Sequence, residues 1–250
     1  MIDAAAASGF RHAGLRITAL TEGDADVLSD AALMTAIADR LSDTGVQPLD
    51  LELLRIGPAT VPSEAIPMLE FAQRIGAPHV TLASAETRWS DEDEALVCGH
   101  LERLGMLASS FGVRLSLEFM PYRAISSLAH AIRLVKAVDA EGVGLCVDAL
   151  HLARSGGTPA DVAAVDPGLL AVVQVCDAPA VSPAFDALPE EARYGRLLPG
   201  DGELPLAELV AAVPAEVPLS IEVPLRERAG ASPTELARAA FASMQTLLGT

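Results

Sequence analysis

Apolar and polar positions along the chain fall into two alternating rhythms. Residues 14–18, 48–56, 79–83, 113–119, 143–148, 170–175 and 218–223 form short runs rich in Leu, Val and Ile, the length and composition of buried strands. Between most of them apolar residues recur every three or four positions, the period of a helix with one face on a core. Residues 30–44 put Leu33, Ile37 and Leu41 on one face, and residues 63–75, 90–110, 126–140, 205–213 and 232–248 continue the series. Ser90 and Asp93 have the spacing of a capping box, and the opening residues, MIDAAAASGF, read as a first helix. Residues 177–204 show little period and are expected to form an active-site loop.

Strand and helix alternating in this way imply right-handed βαβ units and a parallel sheet. No linker divides the series, so residues 1–250 are expected to form one α/β domain, a (β/α)8-type TIM barrel. Seven strand-like runs are present where such a barrel closes with eight. The absent one is the first. It would lie upstream of Met1, so either the sequence is truncated there or the barrel is open at that edge, where a partner subunit could cover it and make a homodimer.

Side chains alternate faces along a strand. Leu15 and Ile17, Leu49, Leu51 and Leu53, Leu115 and Leu117, Leu145 and Val147, Val173 and Val175, and Leu219, Ile221 and Val223 share the parity expected to pack under the helices. The other parity then points into the barrel, and it is unusually polar: Arg16, Asp50 and Glu52, Ser116 and Glu118, Asp148, Gln174, Glu222. Carboxylates crowded at strand ends repel each other and lose hydration, and stay charged only beside a cation or strong donors. Glu118, Asp148, Gln174 and Glu222 could together offer four oxygen ligands to a hard divalent ion, Mn²⁺ or Mg²⁺, with Co²⁺ also compatible. Asp148 has a second reading, as the N-cap of the helix after it. His151, one helical turn on, reads as a fifth ligand, a substrate contact or an orienter of Asp148. Arg16 and Glu52 are candidate substrate contacts or a mutual ion pair. Arg193 and Arg196 would meet an anionic substrate group or stay solvated, as would Arg226 and Arg228.

Composition narrows the partners. With a net charge of −17 the surface repels nucleic acid and anionic membranes. No apolar run reaches the ~20 residues of a membrane span, and the first residues lack a secretory pattern, so a cytoplasmic protein is expected. Cys98, Cys146 and Cys176 are far apart and odd in number, which argues against a disulfide framework. No Cys-x-x-Cys spacing supports zinc, and Cys146 and Cys176 read as core or rim residues. His12, His79, His100 and His130 read as structural, and Gly200 and Gly202 as a turn.

The Glu of LSLEF, the Asp-x-x-His of VDALH, QVCDAP, LPGDGELPL and the Glu of SIEVP, in that order, resemble the xylose isomerase-like sugar phosphate isomerase/epimerase superfamily. The start, AAAASGFRHAGLRIT, resembles that family's first helix and second strand, so the likeness covers nearly the whole chain. The resemblance implies that Glu118, Asp148, Gln174 and Glu222 hold the metal, that Glu118 and Glu222 trade the substrate proton, and that His151 contacts substrate oxygens. Many members have His where this chain has Gln174; some branches, including certain 3-dehydroshikimate dehydratases, carry Gln. The implied activity is a metal-dependent isomerase or epimerase of a sugar or sugar acid, acting on a small polar carbonyl substrate through an enediolate. The alternatives are a 3-dehydroshikimate dehydratase-like lyase and an inactive barrel that only binds metabolites.

Overall fold

A computed structural model describes residues 1–19, 25–138, 142–224 and 230–249. Seven parallel strands form a single sheet in sequence order: β1 (His12–Arg16), β2 (Gln47–Ile56), β3 (His79–Ser84), β4 (Arg114–Glu118), β5 (Val143–Asp148), β6 (Leu170–Val175) and β7 (Leu219–Ile221). The sheet curls into a nearly closed barrel with helices around it. These are α1 (Ile2–Ser8), α2 (Ala31–Thr44), α3 (Ile66–Ile75), α4 (Asp91–Ser110), α5 (Leu128–Ala137), α6 (Ala149–Arg154), α7 (Pro159–Ala163), α8 (Leu188–Tyr194), α9 (Leu206–Ala212) and α10 (Pro233–Leu248).

Helix starts follow local chemistry. Ser90 caps α4 through the reciprocal box with Asp93 that the spacing predicts, and Ser232 with Glu235 does the same for α10. The Asp30 side chain accepts from the first amides of α2. The predicted helix 126–140 is observed as α5, capped by Ser127; residues 139 and 140 lie outside the described set. Within residues 177–204, expected to be loop, α8 forms a short helix with a single 3-10 turn before it. Seven residues give too few turns for a hydrophobic period to stand out.

The layer between sheet and helices is apolar and closed. Leu115, Leu117, Leu145, Val147, Val173 and Val175 have no exposed surface. Burying each such side chain is worth about 1.5–3 kcal/mol. These residues have the outward parity the sequence assigns them, and their strand partners on the other face form the lumen.

Strand β2 corrects that parity at two places. Ala13 pairs with Pro48 and Leu15 with Leu51, so Gly14 alone faces both Leu49 and Asp50. This bulge turns Leu49 inward, where it packs with Cys146 and Val172 rather than under the helices. A second slip lies between Leu51 and Leu54, beyond which Arg55 pairs with Ala83, and Ala83 with Glu118. Arg55 therefore belongs to the inward row of Glu118, the opposite of its sequence parity. Gly14 permits the first bulge, since a Cβ there would stand 2.4 Å from Asp50 Oδ1.

Among the described residues β1 pairs only with β2, and β7 only with β6. Between these two edges lies a cavity of about 670 Å³, lined by residues such as Ala5, Phe10, Leu49, Leu219, Leu236 and Phe241. Helices α1 and α10 meet over it, with Phe10 edge-on to Phe241 at 5.1 Å. No helix among the described residues is long and apolar enough to cross a membrane.

Candidate active site

The C-terminal ends of β4, β5 and β7 deliver Glu118, Asp148 and Glu222 to the barrel mouth. Each offers a carboxylate oxygen, and the three oxygens lie within 4.8 Å of one another. Glu118 and Asp148 are buried, while the Glu222 side chain keeps 32% of its surface. Asp148 meets its N-cap reading: its Oδ1 accepts the His151 amide at 2.8 Å, capping α6, while the same residue contributes an oxygen to the carboxylate group.

Gln174 pairs in register with Asp148 and enters the same lumen. Its Nε2 donates to Glu52 Oε1 at 3.3 Å, and its Oε1 accepts from Cys146 Sγ at 3.3 Å. The amide is thus engaged with its neighbours beside the three carboxylates. Arg16 and Glu52 form an ion pair of 2.9 Å.

Arg196 sits in the carboxylate group itself. It is buried, and its Nη1 lies 2.5 Å from Asp148 Oδ2 and 3.4 Å from Glu222 Oε2. Its Nε donates to Ala192 O at 2.8 Å. The expectation that Arg196 stays solvated fails; Arg193, on α8, is exposed. Arg226 and Arg228 lie outside the described residues.

The segment carrying Arg196 is held by a residue the sequence reading passed over. Asp177, just past β6, is buried and accepts four backbone amides: Ala178 and Leu204 on Oδ1, Gly200 and Gly202 on Oδ2. Its backbone pairs antiparallel with Leu197, which fixes Arg196 next to it. A Cβ on Gly202 would stand 2.4 Å from Asp177 Oδ1, so the turn needs glycine there. Glu191 of α8 adds a two-pronged bond to Arg154 of α6, at 2.9 and 2.7 Å. The signal was present in QVCDAP and LPGDGELP, an acid followed at a distance by a Gly-rich turn.

Electrostatics follow from crowding. Burial, reinforced by Glu222, Asp148 and Glu52, holds the Glu118 carboxyl well above its ordinary range. Burial likewise pushes Glu222 up to about 7, against the pull of Arg196. Burial also works to raise Asp148, but Arg196, His151 and the His151 amide together keep it below the ordinary value. Burial drives His151 down to about 4, so its imidazole is neutral near pH 7. Its Nε2 lies 3.8 Å from Glu118 Oε1, and Tyr122 stands edge-on to the ring at 5.6 Å.

This donor set fits a hard divalent cation. The converging atoms are carboxylate oxygens, and two of the three acids hold their protons unusually tightly, as expected of a site whose balancing charge is only partly supplied by one guanidinium.

Known proteins share this architecture. The model of the family described as xylose isomerase-like TIM barrel matches residues 2–247. A 3-dehydroshikimate dehydratase of Pseudomonas aeruginosa is 30% identical over 158 residues, 62% of this chain but 24% of that protein. An inosose isomerase of Halalkalibacterium halodurans is 25% identical over 149 residues, 58% of this chain and 51% of that protein. The match thus spans about a quarter of one relative and half of the other. Among solved structures, an IOLI protein with a bound zinc atom superposes with a TM-score of 0.82 at 18% identity, covering 99% of this chain and 91% of that one. A D-psicose 3-epimerase superposes with a TM-score of 0.76 at 16% identity, covering 100% and 93%. The chain belongs to the xylose isomerase-like TIM barrel family.

Proposed function

We propose that this chain is a divalent-metal-dependent enzyme that removes a proton α to the carbonyl of a sugar or sugar-acid substrate, as an isomerase or epimerase. The observation that carries the reading is the convergence of Glu118, Asp148 and Glu222 at the barrel mouth. In this reading Glu118, Asp148, Glu222 and Gln174 hold Mn²⁺ or Mg²⁺. The ion supplies Lewis-acid stabilisation of the negative charge that develops on the substrate oxygens.

Glu118 and Glu222 stand on different strands and reach the mouth from different sides. One, as carboxylate, takes the proton and leaves an enediolate; the other, as carboxylic acid, delivers its own proton to the opposite face of the same carbon for epimerisation or to the neighbouring carbon for isomerisation. His151 is neutral and buried, so it donates a hydrogen bond to a substrate oxygen without competing for the transferred proton. Tyr122 packs on that ring and limits its rotation. Arg196 holds Asp148 ionised while the glutamates change protonation.

The dehydratase reading shares the first step and then expels a β-hydroxyl. The 30% identity to a 3-dehydroshikimate dehydratase favours keeping it. Mn²⁺-loaded protein incubated with ketoses, inosose or 3-dehydroshikimate in D₂O separates the two. Deuterium uptake without water loss supports the isomerase or epimerase, and a rise in ultraviolet absorbance from an aromatic product supports the dehydratase. Glu118→Gln and Glu222→Gln are each expected to lower the rate by roughly 10²–10⁴-fold. Failure of Mn²⁺ to bind or stabilise the protein, with no deuterium uptake from any substrate, would leave a barrel that only binds metabolites.

A further inference from the structure

We propose that Arg55 and Arg123 form a carboxylate-binding subsite on the β2–β4 side of the mouth, so that the substrate is an anion rather than a neutral sugar. This inference rests on the active-site reading above and names the substrate class of that site.

The arginines around the mouth divide into two kinds. Arg16 is neutralised by Glu52, and Arg196 by Asp148 and Glu222. Arg55 and Arg123 have no ion pair among the described residues. Arg55 stands in the register row of Glu118, two strands away, and the charges of Glu118, Arg123 and Arg16 all act on it. Arg123 follows Tyr122, the residue that packs on His151.

Consecutive backbone carbonyls bring the two side chains together. Arg55 Nη1 donates to Ser84 O at 3.4 Å, and Arg123 Nη1 to Ala85 O at 2.8 Å. Arg123 Nε is buried without a partner. Burial lowers the Arg55 pKa and the neighbouring Arg123 charge adds to it, against the pull of Glu118, so the two guanidinium groups feel each other. Glu64 and Glu86 line a cavity of about 340 Å³ that also touches Arg55, but Glu86 turns to accept from Trp89 Nε1 at 3.0 Å.

Two guanidinium groups, Arg55 exposed and Arg123 partly buried, that hang on neighbouring carbonyls and lie within reach of each other's charge are arranged for an oxyanion. Their planar forks match a carboxylate's two oxygens. The substrate carboxylate would lie over the end of β3, with the carbonyl end directed toward Glu118 and His151.

The test uses non-reacting probes that differ only at the carboxyl position: shikimate against its methyl ester, and D-gluconate against sorbitol. Calorimetric titration of the full chain, with and without Mn²⁺, is expected to show at least one acid bound about tenfold or more tightly than its neutral counterpart. Arg55→Gln and Arg123→Gln should each remove most of that preference while changing the neutral probe little. Arg55→Lys and Arg123→Lys, which keep the charge, should retain part of it. Equal binding of acid and neutral probe, no binding of either acid, or equal weakening of both probes by the Gln variants overturns the proposal. Competition by inorganic phosphate stronger than by the acids also overturns it and reassigns the anion. Mn²⁺ binding is followed in the same samples. Its absence beside an intact acid preference removes the metal reading and keeps the subsite; the reverse result removes the subsite alone.

Discussion

Burial lifts the Asp50 carboxyl to about 6, against the Thr81 hydroxyl that donates to it at 3.0 Å and the attraction of Arg16. A carboxyl with its folded pKa raised above the unfolded ~3.9 contributes its stability in full below that value. The contribution is lost as pH rises through about 6. Asp50→Asn removes the titrating charge while keeping an oxygen for Thr81. The variant should match the parent near pH 4 and exceed it near pH 8 by about 2–3 kcal/mol in urea unfolding. A variant that matches the parent near pH 4 but is less stable near pH 8 would show that the charge is required. The residues most legible from sequence were those on unbroken strands: Glu118, Asp148 and Glu222 follow simple alternation to the mouth. Arg55 and Leu49 were not legible, because each lies at or beyond a bulge in β2 and a one-residue slip reverses the face.

At the scale of elements, the stretch from β6 to α9 is organised by polar contacts rather than by an apolar stripe. That is why its hydrophobic pattern said only loop, whereas α4 was readable from its length and cap and α10 from its length and period. Asp177 gathers four backbone amides, three of them from the turn at residues 200–204. Asp177→Ala should cost about 3 kcal/mol or more in denaturant unfolding and speed proteolysis at the turn. Because the same turn leads back to Arg196, the substitution should also lower turnover. Asp177→Asn, which keeps one acceptor, should fall between the two. An Asp177→Ala protein with parent-like stability and protease resistance would mean the turn is held by something other than this carboxylate.

At the scale of the whole molecule, seven strands in sequence order were legible, as was the family, because repeated strand–helix units leave little topological choice. The strongly acidic balance, −17, gives the lumen no relief, so a divalent ion that binds the mouth should raise the unfolding temperature. Stabilisation of about 2.7 kcal/mol is expected at a hundredfold excess of Mn²⁺ over its dissociation constant, and Glu118→Gln should abolish it in a thermal-shift titration. The seam between β1 and β7 sets another expectation. Strands with one hydrogen-bonded neighbour open more readily than strands with two. Amides of β7 and β1 should therefore exchange with deuterium faster than those of β3 to β5, and equal protection across the barrel would count against this. Among the described residues this cylinder is a split ring: no ladder joins its two lips, and the packing of α1 on α10 is what spans them. Glu118 and Asp148 are seated in the rigid back of the ring, whereas Glu222 rides on one lip. The spacing of that single acid from the other two is the dimension through which the mouth can resize around whatever it grips.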